Sequence, residues 1–262
     1  MILATWNVNS LKVRIGHVLD WLNTSKADFV CLQELKLTDE MFPLSSFDAA
    51  GYGALYLGQK TYNGVAVLYR KGSAAPAGSI IKNIPGFPDA QSRLVGDEFD
   101  TRLGRIVVLS AYFPNGAEVG CDKYTYKLQW VSALQAFLSS LLDSGKNIVL
   151  AGDFNIAPED ADCWNPKLWE GSILVSPPER EAFRKLLSLG LSDTFRLFKQ
   201  DEKLFTWWDY RMLGFQKNHG MRIDHILTSP GLTKHVKSAY IDKAPRKLPK
   251  PSDHAPYCIV LE

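Results

Sequence analysis

The sequence lacks the features that would place it in a membrane or cross-link it covalently. Its apolar runs are far shorter than a bilayer-spanning helix, and its first residues show no basic segment followed by a cleavage site. No two of its four cysteines form a Cys-x-x-Cys pair, so neither a disulfide framework nor a structural zinc site is expected. We therefore expect a cytoplasmic protein in a reducing environment, with no membrane partner.

Signatures of several other protein classes are missing as well. The Gly-x-x-x-x-Gly-Lys-Ser/Thr phosphate loop and the Gly-x-Ser-x-Gly nucleophile motif are both absent. There is no low-complexity tract, long linker or internal repeat, and 46% of the residues are hydrophobic, as in globular proteins. We predict one domain over residues 1–262, and nothing in the sequence requires more than a monomer.

The chain carries little excess charge, since 30 basic side chains nearly balance 28 acidic ones. The distribution is uneven, because residues 234–250 contain six basic side chains and only one acid, Asp242. Such a segment either binds phosphate groups or forms a solvated basic loop. Both interpretations are compatible with the sequence.

Periodicity in the sequence predicts an α/β protein. A helix is expected over residues 11–22 with Ser10 as its N-cap, and others over residues 124–142 and 179–189, the last beginning after Pro177 and Pro178. Two packed sheets covered by helices on their outer faces fit this pattern best. Buried strands are predicted for the short apolar runs at residues 2–6, 29–32, 64–69, 105–111, 147–151, 222–227 and 257–261.

Polar side chains follow these strands repeatedly, at the point where each strand ends or begins. Because strand ends can meet at one rim of a sandwich, we expect the side chains to converge there. Their carboxylate and amide oxygens suit Mg²⁺, with Mn²⁺ as a substitute, and a magnesium site of this kind favours hydrolysis of phosphate esters. The residues are Asn7, Glu34, Asp153, Asn155, Asp224 and Asp253, together with the imidazole of His254.

Six segments of the chain resemble, in order, the motifs of the exonuclease III family of DNA-repair nucleases. Any one pentapeptide is weak evidence, but six in the family order over nearly the whole chain are specific. The resemblance implies a four-layer α/β sandwich that hydrolyses DNA phosphodiesters with Mg²⁺, acting on double-stranded DNA with nicks, blocked 3′ ends or abasic sites. The segments are Trp6–Ser10, Leu32–Lys36, Tyr112–Gly116, Gly152–Ile156, Arg222–Asp224 and Ser252–Pro256.

The resemblance also implies roles for individual residues. Glu34 would be the chief metal ligand, assisted by Asn9, with Asp253 as an outer or second-metal ligand. Asp153, helped by Asn155, would orient or deprotonate the attacking water, and both are further candidate metal ligands. His254, oriented by Asp224, would bind the scissile phosphate. Tyr112 and Asn7 would donate hydrogen bonds to the phosphate or to metal-bound water. The expected DNA contacts are Asn115, Asn165, Trp169, Trp207 and Met221, with Trp207 alternatively in the core.

Two positions depart from the family pattern. The family commonly has Trp before Arg-Ile-Asp, where this chain has Met221, and a loop that usually carries polar and basic residues contains Trp169 and Glu170 instead. A bulky ring and an acid there would hinder an extrahelical base-less sugar. We therefore expect processing of 3′ ends, as exonuclease, 3′-phosphatase or 3′-phosphodiesterase, with incision at abasic sites reduced or lost.

Alternative functions remain open at this point. One is a full abasic-site endonuclease that is also an exonuclease. Another is a phosphoinositide or lipid phosphatase with the same type of fold, and a third is a non-catalytic DNA-binding module.

Several basic or polar residues are candidates for phosphate contacts, and none of them is assigned individually. They are Lys36, Tyr62, Arg93, Lys123, Lys127 and Lys217.

Overall fold

The structure, a computed structural model, describes residues 1–262. Its helices are α1 (Leu11–Ser25), α2 (Leu44–Ala49), α3 (Asp122–Asp143), α4 (Pro166–Trp169), α5 (Pro177–Ser188) and α6 (Pro230–Thr233). Its strands are β1 (Ile2–Asn7), β2 (Phe29–Gln33), β3 (Tyr52–Leu57), β4 (Val65–Arg70), β5 (Ala74–Pro76), β6 (Ile81–Lys82), β7 (Leu94–Thr101), β8 (Gly104–Tyr112), β9 (Ile148–Asp153), β10 (Ser192–Asp193), β11 (Trp207–Trp208), β12 (Gly220–Met221), β13 (Asp224–Thr228), β14 (Val236–Ile241) and β15 (Tyr257–Leu261).

The long strands form two sheets that pack face to face. The first sheet has the order β14-β15-β1-β2-β4-β3. The second has the order β10-β13-β9-β8-β7-β5, with β6 also paired to β7. Each sheet contains one parallel pair, β1 with β2 and β8 with β9, and its other pairs are antiparallel. A separate ribbon of β11 and β12 carries Trp207 opposite Met221.

Three hydrophobic clusters define four layers. The first cluster lies between the sheets and includes Leu3 and Phe29 from one sheet and Val108 and Val149 from the other. The second joins α1 and α2 to the outer face of the first sheet, and the third joins α3 and α5 to the outer face of the second. The predicted sandwich of two mainly antiparallel sheets between helices is therefore confirmed. None of the helices combines the length and apolar character needed to cross a bilayer.

The alternation of side chains along each strand explains where the polar residues point. On β9, Val149 and Ala151 face the inter-sheet core whereas Ile148 and Leu150 face the helices. Because side chains alternate along a strand, Asp153, which is two residues beyond Ala151, also lies between the sheets, at the end of the strand. The same alternation places Asn7, Tyr112 and Asp224 on the inner faces of β1, β8 and β13. Asp153 pairs with Tyr112 on one side and with Asp224 on the other.

The start of α1 differs from the expectation. Ser10 precedes the helix, but its φ of 89° turns it away from capping geometry and its side chain makes no cap hydrogen bond. The backbone N–H groups of Ser10 and Leu11 donate instead to the carbonyls of Glu34 (2.8 Å) and Leu35 (3.0 Å). The helix start is thus fixed by the loop after β2 rather than by its own hydroxyl, which ties the Asn9 and Glu34 segments together.

Candidate active site

The centre of the site is a buried pair of carboxylates around one imidazole. His254 Nδ1 lies 2.8 Å from Asp224 Oδ2, and its Nε2 lies 3.8 Å from Asp153 Oδ2. Asp224 is completely buried and His254 is 4% exposed, so solvent screens their charges little. The second oxygen of Asp224, Oδ1, has no hydrogen-bond partner. The Asp224 carboxylate fixes the imidazole with Nδ1–H toward it, which leaves Nε2 facing the site.

The charges of these three groups depend on one another. Burial by itself lowers the pKa of His254, but the Asp224 and Asp153 carboxylates outweigh that effect and raise the pKa to about 10. Burial raises the pKa of Asp153 well above the usual carboxyl value, and the charge of Asp224 adds to the rise while His254 opposes it. Two close acids thus share one basic partner, so the centre holds more negative charge than the imidazolium neutralises.

One amide connects the two sheets at the site. Asn7 Nδ2 donates to Glu34 Oε1 at 2.8 Å and to Asp153 Oδ2 at 2.9 Å. Tyr112 Oη donates to the same Glu34 oxygen at 3.0 Å. Burial, with the nearby Glu34 and Asp153 charges, raises the pKa of Tyr112 well above its usual value, so the phenol stays protonated and remains a donor. Glu34 and Asp153 are thereby held close together from opposite sheets.

The outer rim is formed by Asn9, Lys36, Asp253 and Trp207. Asn9 Nδ2 donates to Asp253 Oδ1 at 2.9 Å, and Trp207 Nε1 donates to the other oxygen of Asp253 at 3.1 Å. Lys36 Nζ lies 2.6 Å from Asn9 Oδ1 and 2.8 Å from Glu34 Oε2. Asn9 and Glu34 have positive φ values of 42° and 54°, a conformation that costs a non-glycine residue free energy and recurs at functional sites.

A buried lysine holds the loop that carries Asn155. The backbone N–H of Asn155 donates to Asp153 Oδ1 at 2.9 Å, and its side chain accepts a bond from Asn115 Nδ2 at 3.1 Å. Lys127 Nζ donates to the carbonyls of Asn155 (2.6 Å) and Asn115 (3.2 Å) and forms a fully buried ion pair with Glu179. The expectation that Lys127 touches phosphate is therefore wrong, because its ammonium lies in the interior and fastens two loops.

The donor set fits a small divalent cation. Ligand atoms of Asp153, Asp224 and His254 all lie within 4.8 Å of one another, and the orphaned Asp224 Oδ1 leaves part of the negative charge without a partner. Glu34 adds a carboxylate that is 18% exposed and reachable from solvent, beside the amide of Asn9. Oxygen-rich, anionic sites of this kind suit hard cations.

The expected DNA contacts take different places. Asn115 is exposed beside the site, and the side chain of Asn165 accepts a hydrogen bond from Leu168 N at the start of α4. Trp169 and Trp207 are half-buried and pack against the small buried cluster that contains Met221. Met221 itself is fully buried, contrary to the expectation that it contacts DNA. Its position opposite Trp207 on the β11–β12 ribbon turns it inward, where it supports that ring.

Sequence reasoning missed several residues around the site. Lys127 follows the same helical spacing as the buried Tyr124, Val131 and Leu134 on α3, which was the available signal of its burial. The basic segment 234–250 is neither a pure loop nor a uniform surface stripe. Part of it forms β14, and Arg246 is buried against the ring of Trp208.

The chain matches the Endonuclease/Exonuclease/phosphatase family over residues 4–254. It is 34% identical to the exodeoxyribonuclease III of Haemophilus influenzae, covering 98% of both chains. A Neisseria 3′ phosphatase solved with a product DNA hairpin is 39% identical, with a TM-score of 0.93 over 100% of this chain and 99% of that one. An AP endonuclease from Archaeoglobus fulgidus is 33% identical, with a TM-score of 0.92 over 100% and 99%. Both solved structures share the sandwich described above.

Proposed function

The chain belongs to the Endonuclease/Exonuclease/phosphatase family and is a hydrolase of the exodeoxyribonuclease III type, and we propose that it processes 3′ ends in double-stranded DNA. Its substrates would be nicks and blocked 3′ ends, cleaved as exonuclease, 3′-phosphatase or 3′-phosphodiesterase. The observation that carries this proposal is the constellation of Asp153, Asp224 and His254 joined to Glu34 through Asn7. Every one of these residues comes from one chain, so a monomer suffices.

The cation we propose is Mg²⁺, with Mn²⁺ as a substitute. Glu34 would be its chief ligand, with Asn9, Asp253, Asp153 and Asn155 as further candidates. When bound, such an ion stabilises negative charge on the phosphoryl oxygens and on the leaving group. The open carboxylate of Glu34 and the surplus negative charge at Asp153 and Asp224 support this assignment.

The chain's own residues would position the nucleophile and hold the proton. Asp153 already accepts from Asn7 through Oδ2 and from the Asn155 N–H through Oδ1. These two bonds fix the carboxylate plane, so a remaining lone pair can orient a water molecule and take its proton. His254 Nε2, oriented through Asp224, lies opposite and is placed to donate to a phosphate oxygen. Tyr112 Oη and Asn7 Nδ2 now donate to Glu34 and Asp153, and they would redirect a hydrogen to the phosphate or to metal-bound water.

The surface beside His254 supports action at 3′ ends rather than at internal abasic sites. Trp169 and Trp207 form an aromatic wall there, where a compact base-less sugar would find little complementary contact. The exposed Glu170 beside Trp169 adds negative charge that opposes the approach of a continuous strand. The likeness to a Neisseria 3′ phosphatase at 39% identity favours the same choice.

A panel of DNA lesions tests this proposal. Cleavage of an internal abasic analogue is compared with release of a 3′ phosphate and with exonuclease action at a nick, using wild type and Trp169→Gly. We expect the 3′ reactions to dominate in wild type and abasic incision to increase in the variant. Faster internal incision than 3′ release by wild type would overturn the assignment to 3′ ends.

The second candidate is a full abasic-site endonuclease with exonuclease activity, favoured by the likeness to the Archaeoglobus AP endonuclease at 33% identity. The same panel distinguishes it. Chelation by EDTA separates both enzymes from a non-catalytic module, since a module would bind nicked DNA equally with and without Mg²⁺ and never cut it. Hydrolysis of a phosphoinositide in preference to DNA would indicate the lipid phosphatase.

A further inference from the structure

Two residues of the candidate site, Asp253 and His254, lie on a segment with little regular structure of its own. Residues 248–253 belong to no helix or strand, and β15 begins only at Tyr257. Within the segment Lys250 precedes a proline and has a positive φ of 50°, a conformation that costs a non-glycine residue free energy. The positions of Asp253 and His254 therefore depend on contacts from other parts of the chain.

Five successive carbonyl oxygens of this segment, from residue 250 to residue 254, accept hydrogen bonds from donors outside it. Every peptide unit that leads to the imidazole is therefore fixed from elsewhere in the molecule. The donors are, in order along the segment, Arg14 Nε (3.1 Å), Arg14 Nη2 (3.1 Å), Arg246 Nη1, the Trp208 N–H (3.0 Å) and Trp6 Nε1 (3.3 Å).

The middle donor, Arg246, is a buried cation without an anionic partner. Its side chain is 6% exposed, it forms no ion pair with a carboxylate, and its Nε has no hydrogen-bond partner. Burial of an unpaired charge costs free energy. Arg222, which is equally buried, pairs with Asp162 and Asp193. Stabilisation of the fold therefore explains Arg222 better than it explains Arg246.

Three aromatic rings surround the Arg246 guanidinium, and we call them the aromatic cage. The guanidinium carbon lies 5.8 Å from the ring centroid of Trp208, 5.7 Å from that of Tyr210 and 4.8 Å from that of Phe215. Aromatic faces attract a cation and partly replace the missing carboxylate. A planar guanidinium can lie against rings and still donate from its edge, which a lysine ammonium does less well. The cage thus fixes the direction in which Arg246 donates.

The residue that Arg246 holds, Ser252, links His254 to the other half of the site. Its side chain is buried, and its Oγ donates to the Asn7 carbonyl at 2.7 Å and accepts from the His254 N–H at 3.2 Å. Asn7 is the residue whose amide joins Glu34 to Asp153. A shift of Ser252 would therefore move the imidazole relative to these carboxylates.

We propose that Arg246 is a positioning residue for the reaction. From the aromatic cage it fixes the Ser252 carbonyl, and through Ser252 it sets the position of His254 relative to Asp153. This inference rests on the proposed function, because it takes His254 as the group that binds the scissile phosphate. Arg246 is too deeply buried to contact the substrate itself. Misplacement of a positioned group by about 1 Å can lower a rate about 10²-fold, so a small displacement is enough.

Two substitutions test whether the guanidinium sets the rate. Arg246→Met has a similar length but leaves the Ser252 carbonyl without its donor. We expect kcat at a nick to fall about 10²-fold, with KM changed less than about twofold, because Arg246 does not bind the DNA. Arg246→Lys keeps a cation against the rings and one donor for the carbonyl, so it should recover about tenfold of that loss. Thermal unfolding shows first that each variant is folded.

The matched control is Lys247→Met, which removes an exposed positive charge from the same 3₁₀ turn and should leave kcat unchanged. A folded Arg246→Met with the kcat of wild type overturns the inference. A rise in KM with kcat unchanged also overturns it, because Arg246 would then act in binding DNA. A loss of kcat in Lys247→Met equal to that in Arg246→Met would show a general effect of charge instead.

A double-mutant cycle tests whether Arg246 acts through His254. Single-turnover rates are compared for Arg246→Met in the wild-type background and in a His254→Gln background. Once the imidazole is gone its position no longer matters, so we expect the second loss to be less than about threefold. Equal losses in the two backgrounds contradict the inference. If Arg246→Met does not fold, Arg246→Lys takes its place in the cycle.

Amide hydrogen exchange, followed by NMR without Mg²⁺ or DNA, examines the segment independently of catalysis. In Arg246→Met the His254 amide, which donates to Ser252 Oγ, should exchange faster than in wild type, whereas the Leu150 amide in the second sheet should not change. Unchanged exchange at His254 overturns the inference and leaves the proposed function in place. Wild type that binds nicked DNA but never cuts it with Mg²⁺ rejects the proposed function, whatever the exchange rates show.

Discussion

Two buried clusters of carboxylates in this protein are built in opposite ways. In the first, the Arg222 guanidinium is 1% exposed and pairs with Asp162 at 2.6 Å and with Asp193 at 2.8 Å. His225 completes this cluster: burial and the Arg222 charge hold its pKa well below the ordinary value, so the neutral ring accepts from Arg222 and donates to the Ile156 carbonyl. Arg196 Nη2 also lies 2.7 Å from Asp162 Oδ1, so the two carboxylates have two guanidinium partners at contact distance.

In the second cluster, Asp153 and Asp224 face one imidazole and no arginine or lysine. One oxygen of Asp224 has no partner at all. Residues 224 and 225 are neighbours on β13, yet Asp224 faces the site and His225 faces the other cluster. Burial of acidic side chains is therefore not by itself a sign of function. A compensated cluster supports the fold, and an uncompensated one leaves charge available for a cation and a substrate.

The largest predicted effect tests the uncompensated cluster. Asp153→Asn and His254→Gln should each lower kcat by about 10²- to 10⁴-fold, since each removes a positioned acid or base. The free energy of unfolding should not fall in Asp153→Asn, because the substitution removes a buried charge that had no full partner. Single-turnover cleavage of nicked DNA and urea unfolding check the two parts. If Asp153→Asn is active but less stable than wild type, Asp153 supports the fold rather than the reaction.

The compensated cluster should respond in the reverse way. Arg222→Met leaves Asp193 buried without its cation and Asp162 with Arg196 alone, and we expect a loss of about 3–5 kcal/mol in the free energy of unfolding. The folded fraction should keep its cleavage rate. The matched control is the triple variant Arg222→Met, Asp162→Asn, Asp193→Asn, which removes all three charges and should recover stability. If the triple variant is no more stable than Arg222→Met, charge compensation does not explain the cluster.

A cation should bind at the uncompensated cluster and not at the compensated one, and its binding should stabilise the folded protein. At about 100 times its dissociation constant, Mg²⁺ should add about 2.7 kcal/mol to the free energy of unfolding. That corresponds to a rise in Tm of about 5–10 °C, measured by calorimetry with EDTA as reference. Glu34→Gln should reduce the rise, whereas Glu202→Gln, an exposed acid elsewhere, should not. An undiminished rise in Glu34→Gln would remove Glu34 from the ligand set.

The smallest predicted effect concerns the ion pair between Lys36 and Glu34, which is only partly buried. The two side chains are 28% and 18% exposed, so solvent weakens their attraction. Lys36→Met should change the free energy of unfolding by less than about 1 kcal/mol. It should also lower the Mg²⁺ concentration at the midpoint of the Tm titration, because the ammonium no longer occupies Glu34 Oε2 and Asn9 Oδ1. A higher midpoint would show that Lys36 assists the cation rather than competing with it.

The sequence predicts the fold well because alternation and strand ends are local properties. Apolar runs ending in Asn7, Tyr112 and Asp153 are visible in the printed chain, and period-two counting already assigns them to one face. Glycine at position 152 is likewise required by close packing, since a Cβ there would lie 1.9 Å from the Ala111 carbonyl oxygen. The family resemblance supplied the order of the motifs and the candidate roles.

The remaining features depend on distant partners. Nothing local shows that Lys127 meets Glu179, or that Arg246 lies against Trp208 instead of in solvent. Met221 is buried because the β11–β12 ribbon turns it inward, a consequence of pairing with Trp207. The apolar concavity lined by Trp164, Trp169 and Met212 forms where α4 meets the turn at residues 209–214, which are distant in the sequence, so composition alone does not reveal it.

The hydrogen bonds of Asn7 have a consequence for synthesis of the protein. Asn7 is synthesised long before His254, and the amide of Asn7 joins residues of both sheets. The site is therefore incomplete in a nascent chain until the segment that carries His254 has emerged from the ribosome and has docked. A chain in which this segment is missing, or in which the two sheets have separated, would not hydrolyse DNA.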